Sequence, residues 1–340
     1  MNKKAIALVL ATMLVGSVFV GCTAKDATSE TEEKKLVIGM ITDTGGLGDQ
    51  SFNDSAWAGI EQAQTDLGIE GKVLESATAD DYFPNLSALA EEKADLIVGV
   101  GFLFNESMAQ ASEKFPEQKF AIVDSVVEAN NVASITFAEN EGSFLVGVIA
   151  GLKTETNKIG FIGGMKFPLI EKFEYGFKAG VMSVNPDAEV FVNYADSFED
   201  AAKGKEIALV QNQKGADVIF HAAGGVGVGL IQAAEEQGFW AIGVDQDQSA
   251  LSPTNVLASM TKRVDNAVYQ VVETVVDGTF SGGINVFNAA NDGVGYSDNA
   301  GNLTPELVEA TDMYLAAIKD GTIMVPGTAA ELEAFVAPEL

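Results

Sequence analysis

The chain is 340 residues long, and 49 acidic against 20 basic residues give it a formal charge of −29. That length exceeds one ordinary domain and leaves room for two cores, while the charge excludes non-specific attraction to DNA, RNA or anionic lipid as a main activity. All the basic residues but Arg263 are lysines, so forked guanidinium clamps for phosphate or carboxylate are almost missing. One His and one Cys leave little from which to build a zinc cage or a Cys/His catalytic pair. A binder is therefore expected rather than an enzyme, with no metal, no cofactor and no nucleic-acid partner.

The first 21 residues read as a signal peptide. Lys3 and Lys4 precede an apolar run from Ala5 to Val20, which ends at Gly21 before the lone Cys22; the run is short for a membrane span and stops abruptly. The junction resembles a bacterial lipobox, although Phe19 stands three residues before the cysteine where an aliphatic residue is usual. The resemblance implies that Cys22 is acylated and becomes the first mature residue. Residues 22–35 have no apolar periodicity and read as a solvated tether.

From Leu36 onward, short runs rich in Val and Ile alternate with helical patterns, the rhythm of a parallel α/β sheet. Strands are expected at 36–41, 72–77, 95–100, 120–124 and 134–137, and again at 158–163, 189–194, 216–221, 239–244 and 255–260. The two series predict two doubly wound lobes facing each other. Residues 36–137 with 261–282 make lobe I, and 138–260 with 283–340 make lobe II, so that three crossings form a multi-strand hinge. The segment from Gly283 and a last helix over 305–319 are both assigned to lobe II.

In doubly wound sheets ligands sit at the carboxyl ends of the strands, which selects the candidate residues. The loop 42–54, TDTGGLGDQSFND, carries Asp43, Asp49, Phe52 and Asn53; its glycines do not follow the dinucleotide spacing, and its carboxylates would repel pyrophosphate. Ser51 is expected to cap the following helix, with Asp54 in its first turn. Phe52 and Phe173 stand at matched distances from the first strand of each series, predicting an aromatic slot for a flat heterocycle. Tyr175 and Phe177 compete with Phe173. Asp124 and Asp245 end the fourth strand of each series and would accept hydrogen bonds from hydroxyl or amino donors. Of Lys262 and Arg263, which follow the hinge strand, Lys262 is the one expected inside, balancing them. The turn HAAGGVGVG (221–229) offers amides for close approach to a ligand without the lysine of a P-loop, and His221 reads as a packed histidine.

Together DQSFND (49–54), FAENEGSFLVGVIAG (137–151), GFIGGMKFPLIEKFEYGFKAG (160–180), DVIFHAAGGVGVG (217–229) and NDGVGYSD (291–298) resemble the basic membrane protein family, which includes purine nucleoside receptor lipoproteins of ABC transporters. The resemblance runs from Leu36 to about Pro326. It implies a type I periplasmic-binding-protein fold, acting as an extracytoplasmic, lipid-anchored monomer that captures purine nucleosides and delivers them to an ABC permease. Carried over by motif, Phe52 and Phe173 sandwich the base and Asn53 and Asp124 read its edge. Asp245, Lys262 and an amide near Gly225 hold the ribose, and Asp43 and Asp49 belong to the same loop. The alternative is a sugar or signal-molecule receptor of the same fold feeding a sensor.

Overall fold

The computed structural model describes residues 35–338; the leader, Cys22 and the tether as far as Lys34 lie outside the described residues. The first half runs β1 (Val37–Ile41), α1 (Phe52–Leu67), β2 (Glu70–Leu74), α2 (Tyr82–Glu91), β3 (Leu96–Val100), α3 (Asn105–Lys114), β4 (Phe120–Val123), β5 (Val132–Phe137) and α4 (Glu139–Lys153). The second repeats it as β6 (Lys158–Gly163), α5 (Pro168–Val184), β7 (Glu189–Tyr194), α6 (Ala201–Gln213), β8 (Val218–Ala222), α7 (Val226–Gln237), β9 (Trp240–Asp245), β10 (Val256–Lys262) and α8 (Val264–Val276). There follow β11 (Gly283–Phe287), β12 (Val294–Ser297), α9 (Pro305–Lys319) and α10 (Ala329–Ala334). No described helix is long and apolar enough to cross a membrane.

Two six-stranded sheets result, ordered β2-β1-β3-β4-β5-β11 and β7-β6-β8-β9-β10-β12. Every pairing is parallel except β12 against β10. Both sheets reverse their winding at the same place, between β1 and β3 and between β6 and β8, where ligands enter such folds. The central strands β3, β4 and β8 are buried along their whole length, which is why β3 and β4 read as unbroken apolar runs and β8 as one broken only by His221.

Two expectations need correction. The second strand occupies 70–74 rather than 72–77, because parallel pairing from Val37↔Glu70 onward overrides the poor strand propensity of Glu70 and Gly71. The segment at Gly283 does not join the second sheet: β11 pairs in parallel with β5, from Gly283↔Ala133 to Phe287↔Phe137. The chain leaves α8 beside the first sheet, and the edge of β5 is open there. The third crossing therefore falls after Phe287 rather than at Gly283. The helix over 305–319 forms as expected and packs on α4.

The crossings exchange helices between the halves. α4 follows β5 but packs against α5, β10 and β12, whereas α8 follows β10 but packs against α1. Among the described residues the strand-to-helix and strand-to-strand passages between lobes are three, and they are tied to one another. Ala138 N–H donates to the Phe287 carbonyl (2.8 Å), Arg263 N–H to the Gly293 carbonyl (2.9 Å), and Ala289 N–H to the Glu141 carboxylate (2.8 Å). Such a hinge bends without coming apart.

The swapped helices approach closely at glycines. A Cβ on Gly59 would stand 2.2 Å from the Asp265 carbonyl at the α1–α8 contact, and one on Gly176 would stand 2.2 Å from the Asn140 carbonyl at the equivalent α5–α4 contact. Farther along, a Cβ on Gly180 would stand 2.0 Å from the Phe144 carbonyl. Since neither backbone can yield without parting two buried helices, Gly180→Ala is expected to cost about 3 kcal/mol, read as a lower urea midpoint at unchanged m-value.

Candidate ligand-binding site

The carboxyl edges of both sheets face one interlobe cavity, the place where doubly wound sheets bind their ligands. The first lobe contributes Asp43 after β1, Gly101 and Phe102 after β3, Asp124 after β4, and Phe52 and Asn53 at the start of α1. The second contributes Leu169, Ile170 and Phe173 from α5, Ala222 to Gly224 after β8, Asp245 from β9 and Lys262 from β10. Phe198, beyond β7, completes the wall. The Phe102 ring meets Phe167 and Phe198 of the opposite lobe at centroid distances of 5.1 and 6.3 Å, closing one edge with aromatic carbon.

Loop 42–54 is organised by its carboxylates. Asp49 accepts from the amides of Ser51 (2.9 Å), Asn53 (2.8 Å) and Asp54 (3.2 Å), and so caps α1 in place of Ser51, whose side chain makes no cap bond. Asn53 donates its side-chain amide to Asp43 (2.8 Å) and to Asp49 (3.1 Å). With both protons held, its Oδ1 is the group left over, and it has no partner among the described residues. The freed Ser51 hydroxyl reaches across the cleft to the Asp245 carboxylate, 2.5 Å away. Burial pushes the Asp43 carboxyl up to about 6, against the hydrogen bonds from Asn53 and Gly45, and likewise raises Asp49.

Asp124 and Asp245 occupy equivalent strand ends and share a left-handed backbone, with φ of 64° and 67°. Aspartate tolerates this conformation better than most residues, and strain of this kind gathers at ligand sites. Lys262 pairs with Asp124, and its ammonium lies 4.6, 5.0 and 5.7 Å from the ring centres of Phe52, Phe137 and Phe173. Burial works against the lysine charge, but Asp124, Asp245 and Glu139 together hold it above the usual lysine range. Burial pushes Asp245 up to about 6, with Lys262 and Ser51 opposing. Glu139, at the head of α4, is pushed up to about 7 by burial and the Asp124 charge, with Lys262 and Lys172 opposing. Asp124 Oδ1 has no partner among the described residues.

Of the sequence-selected residues, Asp43, Asp49, Phe52, Asn53, Asp124, Phe173, Asp245 and Lys262 all line the cavity. Asp49 is saturated by amides and shapes the loop. Gly225 does not line the cavity; Gly224 does, because its φ of 56° turns the chain toward the ligand side, whereas Gly225 already caps α7. Phe177 packs in the core against Phe161 and Phe220, and the Tyr175 hydroxyl bonds Glu171 (3.3 Å). Arg263 forks onto Asp265 at 2.9 Å through both Nε and Nη2, outside the site. The symmetry argument for Phe173 needs amending: the equivalent helix contacts at Gly59 and Gly176 align Phe52 with Leu169 and place Phe173 one turn later.

Phe102, Phe198, Ser51 and Gly224 escaped the sequence reading. Phe102, two residues past a buried strand at the switch point, satisfies the rule that selected Asp124 and was readable; the reach of Ser51 across the cleft was not. Two glycines of the 221–229 turn, Gly227 and Gly229, serve packing. A Cβ on Gly227 would stand 1.8 Å from the His221 ring, and one on Gly229 would stand 1.8 Å from the Ala201 carbonyl, so the glycines admit a histidine and a neighbouring helix. Among the described residues no group of three or more His, Cys, Asp and Glu side chains is arranged to hold a metal. What the cavity offers a ligand is aromatic carbon, hydrogen-bond acceptors and one ammonium.

Residues 35–329 match the Bmp family, described as ABC transporter substrate-binding protein PnrA-like. The chain is 38% identical over 354 residues to the CD4+ T-cell-stimulating antigen of Listeria innocua, with 96% of this chain and 99% of that one covered. It is also 38% identical over 352 residues to the ABC transporter nucleoside-binding protein BmpA of Lactococcus lactis, again covering 96% and 99%. A solved ABC transporter solute-binding protein from Aeropyrum pernix K1 superposes with a TM-score of 0.80 at 28% identity, covering 88% of this chain and 96% of that one. The fold is that of type I periplasmic binding proteins, and substrate-binding proteins of ABC transporters bind a solute and work with a permease without transforming the solute. On the length of the match and the agreement in fold, the chain belongs to the Bmp family, the PnrA-like substrate-binding proteins of ABC transporters.

Proposed function

We propose that the solute is a nucleoside with a purine base, enclosed between the lobes and delivered to an ABC permease. The observation that carries this reading is the pairing of aromatic walls on both lobes with a lining rich in acceptors and poor in cations. Phe52 and Phe173 stack on the base, at about 1–3 kcal/mol per base. Asn53 Oδ1 and Asp124 Oδ1, both lacking partners among the described residues, accept from its edge. Asp245, Lys262 and the amide region of Gly224, replacing Gly225, hold the sugar. Carboxylates at Asp43, Asp124 and Asp245 disfavour a phosphate, so nucleotides are poor ligands. The Lactococcus relative's name, nucleoside-binding protein, supports the same solute class.

A thermal-shift panel on the chain without its leader tests this, because a ligand that binds the native state raises its melting temperature by mass action. Nucleosides are expected to stabilise the protein, and ribose, hexoses and nucleotides are not; stabilisation by sugars alone would replace the nucleoside reading with the sugar-receptor one. Acylation of Cys22 holds a monomer at the extracytoplasmic face of the membrane. Metabolic labelling with palmitate is expected to mark the wild type and not Cys22→Ser.

A further inference from the structure

The cavity uses Asp245 and leaves unexplained two fully enclosed residues beside it, His221 and Gln248, 0% and 2% exposed. Neither lines the cavity. Gln248 is held within its own lobe by three hydrogen bonds. Its main-chain N–H donates to Ser259 Oγ (3.1 Å), and its Oε1 accepts from the Val244 N–H (3.0 Å). His221 Nε2 stands 2.8 Å from that same Oε1. Because Oε1 is an acceptor, Nε2 carries the proton; Nδ1 is buried with no partner among the described residues, where a second N–H would go unsatisfied, so the ring is neutral. Burial, which pushes the His221 imidazole down to about 4, favours the same form. Gly227 leaves just enough space for the ring.

The one group of Gln248 left over is its side-chain N–H₂, and it crosses the cleft to the Gln50 carbonyl in the first lobe, 2.8 Å away. The receiving end is fixed as well. Gln50 has a left-handed backbone, with φ of 54°, and its N–H is held by Asp54 (2.9 Å). The next residue, Ser51, makes the parallel bond to Asp245. A link between two such rigid ends forms only when the lobes meet and must break before they part.

We infer that Gln248, braced by neutral His221, is a positioning residue that latches the two lobes shut and so sets how long a solute stays enclosed. It touches no ligand. The inference rests on the solute-binding role and on lobe closure, not on which solute is bound. Opening precedes release in a protein of this architecture, so the latch acts on dissociation and leaves encounter with the open form unchanged.

Gln248→Glu separates the two halves of the arrangement: it keeps an oxygen for Val244 and His221 and sets a second oxygen against the Gln50 carbonyl. Stopped-flow binding of inosine to the whole chain is expected to show dissociation about tenfold faster, with association and the ranking of ligands unchanged. Gln248→Met, close in shape and uncharged, is expected to show the same signature at about threefold, and covers the case in which the buried carboxylate prevents folding. Hydrogen exchange of the ligand-free protein over residues 42–54 is expected to quicken in both variants, and it needs no ligand. If inosine does not bind, the nucleoside reading fails while exchange still tests the latch. Folded variants with wild-type dissociation and exchange, or with altered ligand ranking, overturn the inference.

Discussion

Lys262→Met is expected to destabilise the ligand-free protein by about 3 to 5 kcal/mol at pH 8, the usual result of removing one member of a buried ion pair. The lysine is 2% exposed and pairs with Asp124, while its charge also acts on Asp245 and Glu139. Its loss leaves three buried carboxylates facing one another. The pH dependence follows from the carboxyls that burial raises, Glu139, Asp245 and Asp43. In the wild type Glu139 is raised to about 7, and Asp43 and Asp245 to about 6. An acid whose pKa is higher folded than unfolded binds more protons in the native state, so stability falls as pH rises from the unfolded value, near 4, through the folded one, and is flat above it. Lys262 opposes the upward shift of Glu139 and Asp245, so without it those two shift further upward and the fall steepens. The deficit measured by urea unfolding is therefore expected to be large at pH 8 and clearly smaller at pH 5. Equal deficits at both pH values would show that Lys262 serves packing rather than charge balance.

Asp245→Ala is expected to weaken nucleoside binding at least about 100-fold, equivalent to about 3 kcal/mol, while free base loses much less. Hydrogen bonds to a charged acceptor contribute about 1.5–3 kcal/mol each, and the substitution removes the acceptor proposed for the sugar together with the partner of Ser51 across the cleft. Alanine also takes up a left-handed backbone less readily than aspartate does; Asp245→Asn, which tolerates that conformation, separates the backbone cost from the loss of charge. For the wild type the same carboxylate predicts affinity that rises with pH up to about 6 and is flat above, since hydroxyl donors favour the ionised form. Calorimetry showing unchanged nucleoside affinity in Asp245→Ala would remove the residue from the site.

Much of the cavity was legible because its residues obey a local rule. Asp124 and Asp245 each end a strand of Val, Ile and Ala, and the switch-point geometry of doubly wound sheets turns that position into a ligand position without further information. Phe52 and Asn53 were placed by the start of a helix. Phe173 was found by a count from the preceding strand, although the helix contacts align Phe52 with Leu169. Gly225 was one residue off, because the choice between it and Gly224 rests on which of two adjacent peptides takes the positive φ. Ser51 is the clearest miss. Its sequence context is that of a helix cap, and nothing in the loop 42–54 reveals that Asp49 takes over the amides and frees the hydroxyl for a residue 194 positions away.

The sequence by itself determined the doubly wound strands, the repeat of one half in the other, the acceptor-rich and arginine-poor chemistry of the site, and the family. Each of these is written in residue type and short-range spacing, where periodicity and burial act within one element. Tertiary structure alone decided that β11 joins the first sheet and that Gln248 and Ser51 tie the lobes across the cleft. The physical reason is that strand edges and hydrogen-bonding side chains have many chemically adequate partners along a chain. Which partner is taken depends on where two distant segments meet after both sheets have formed.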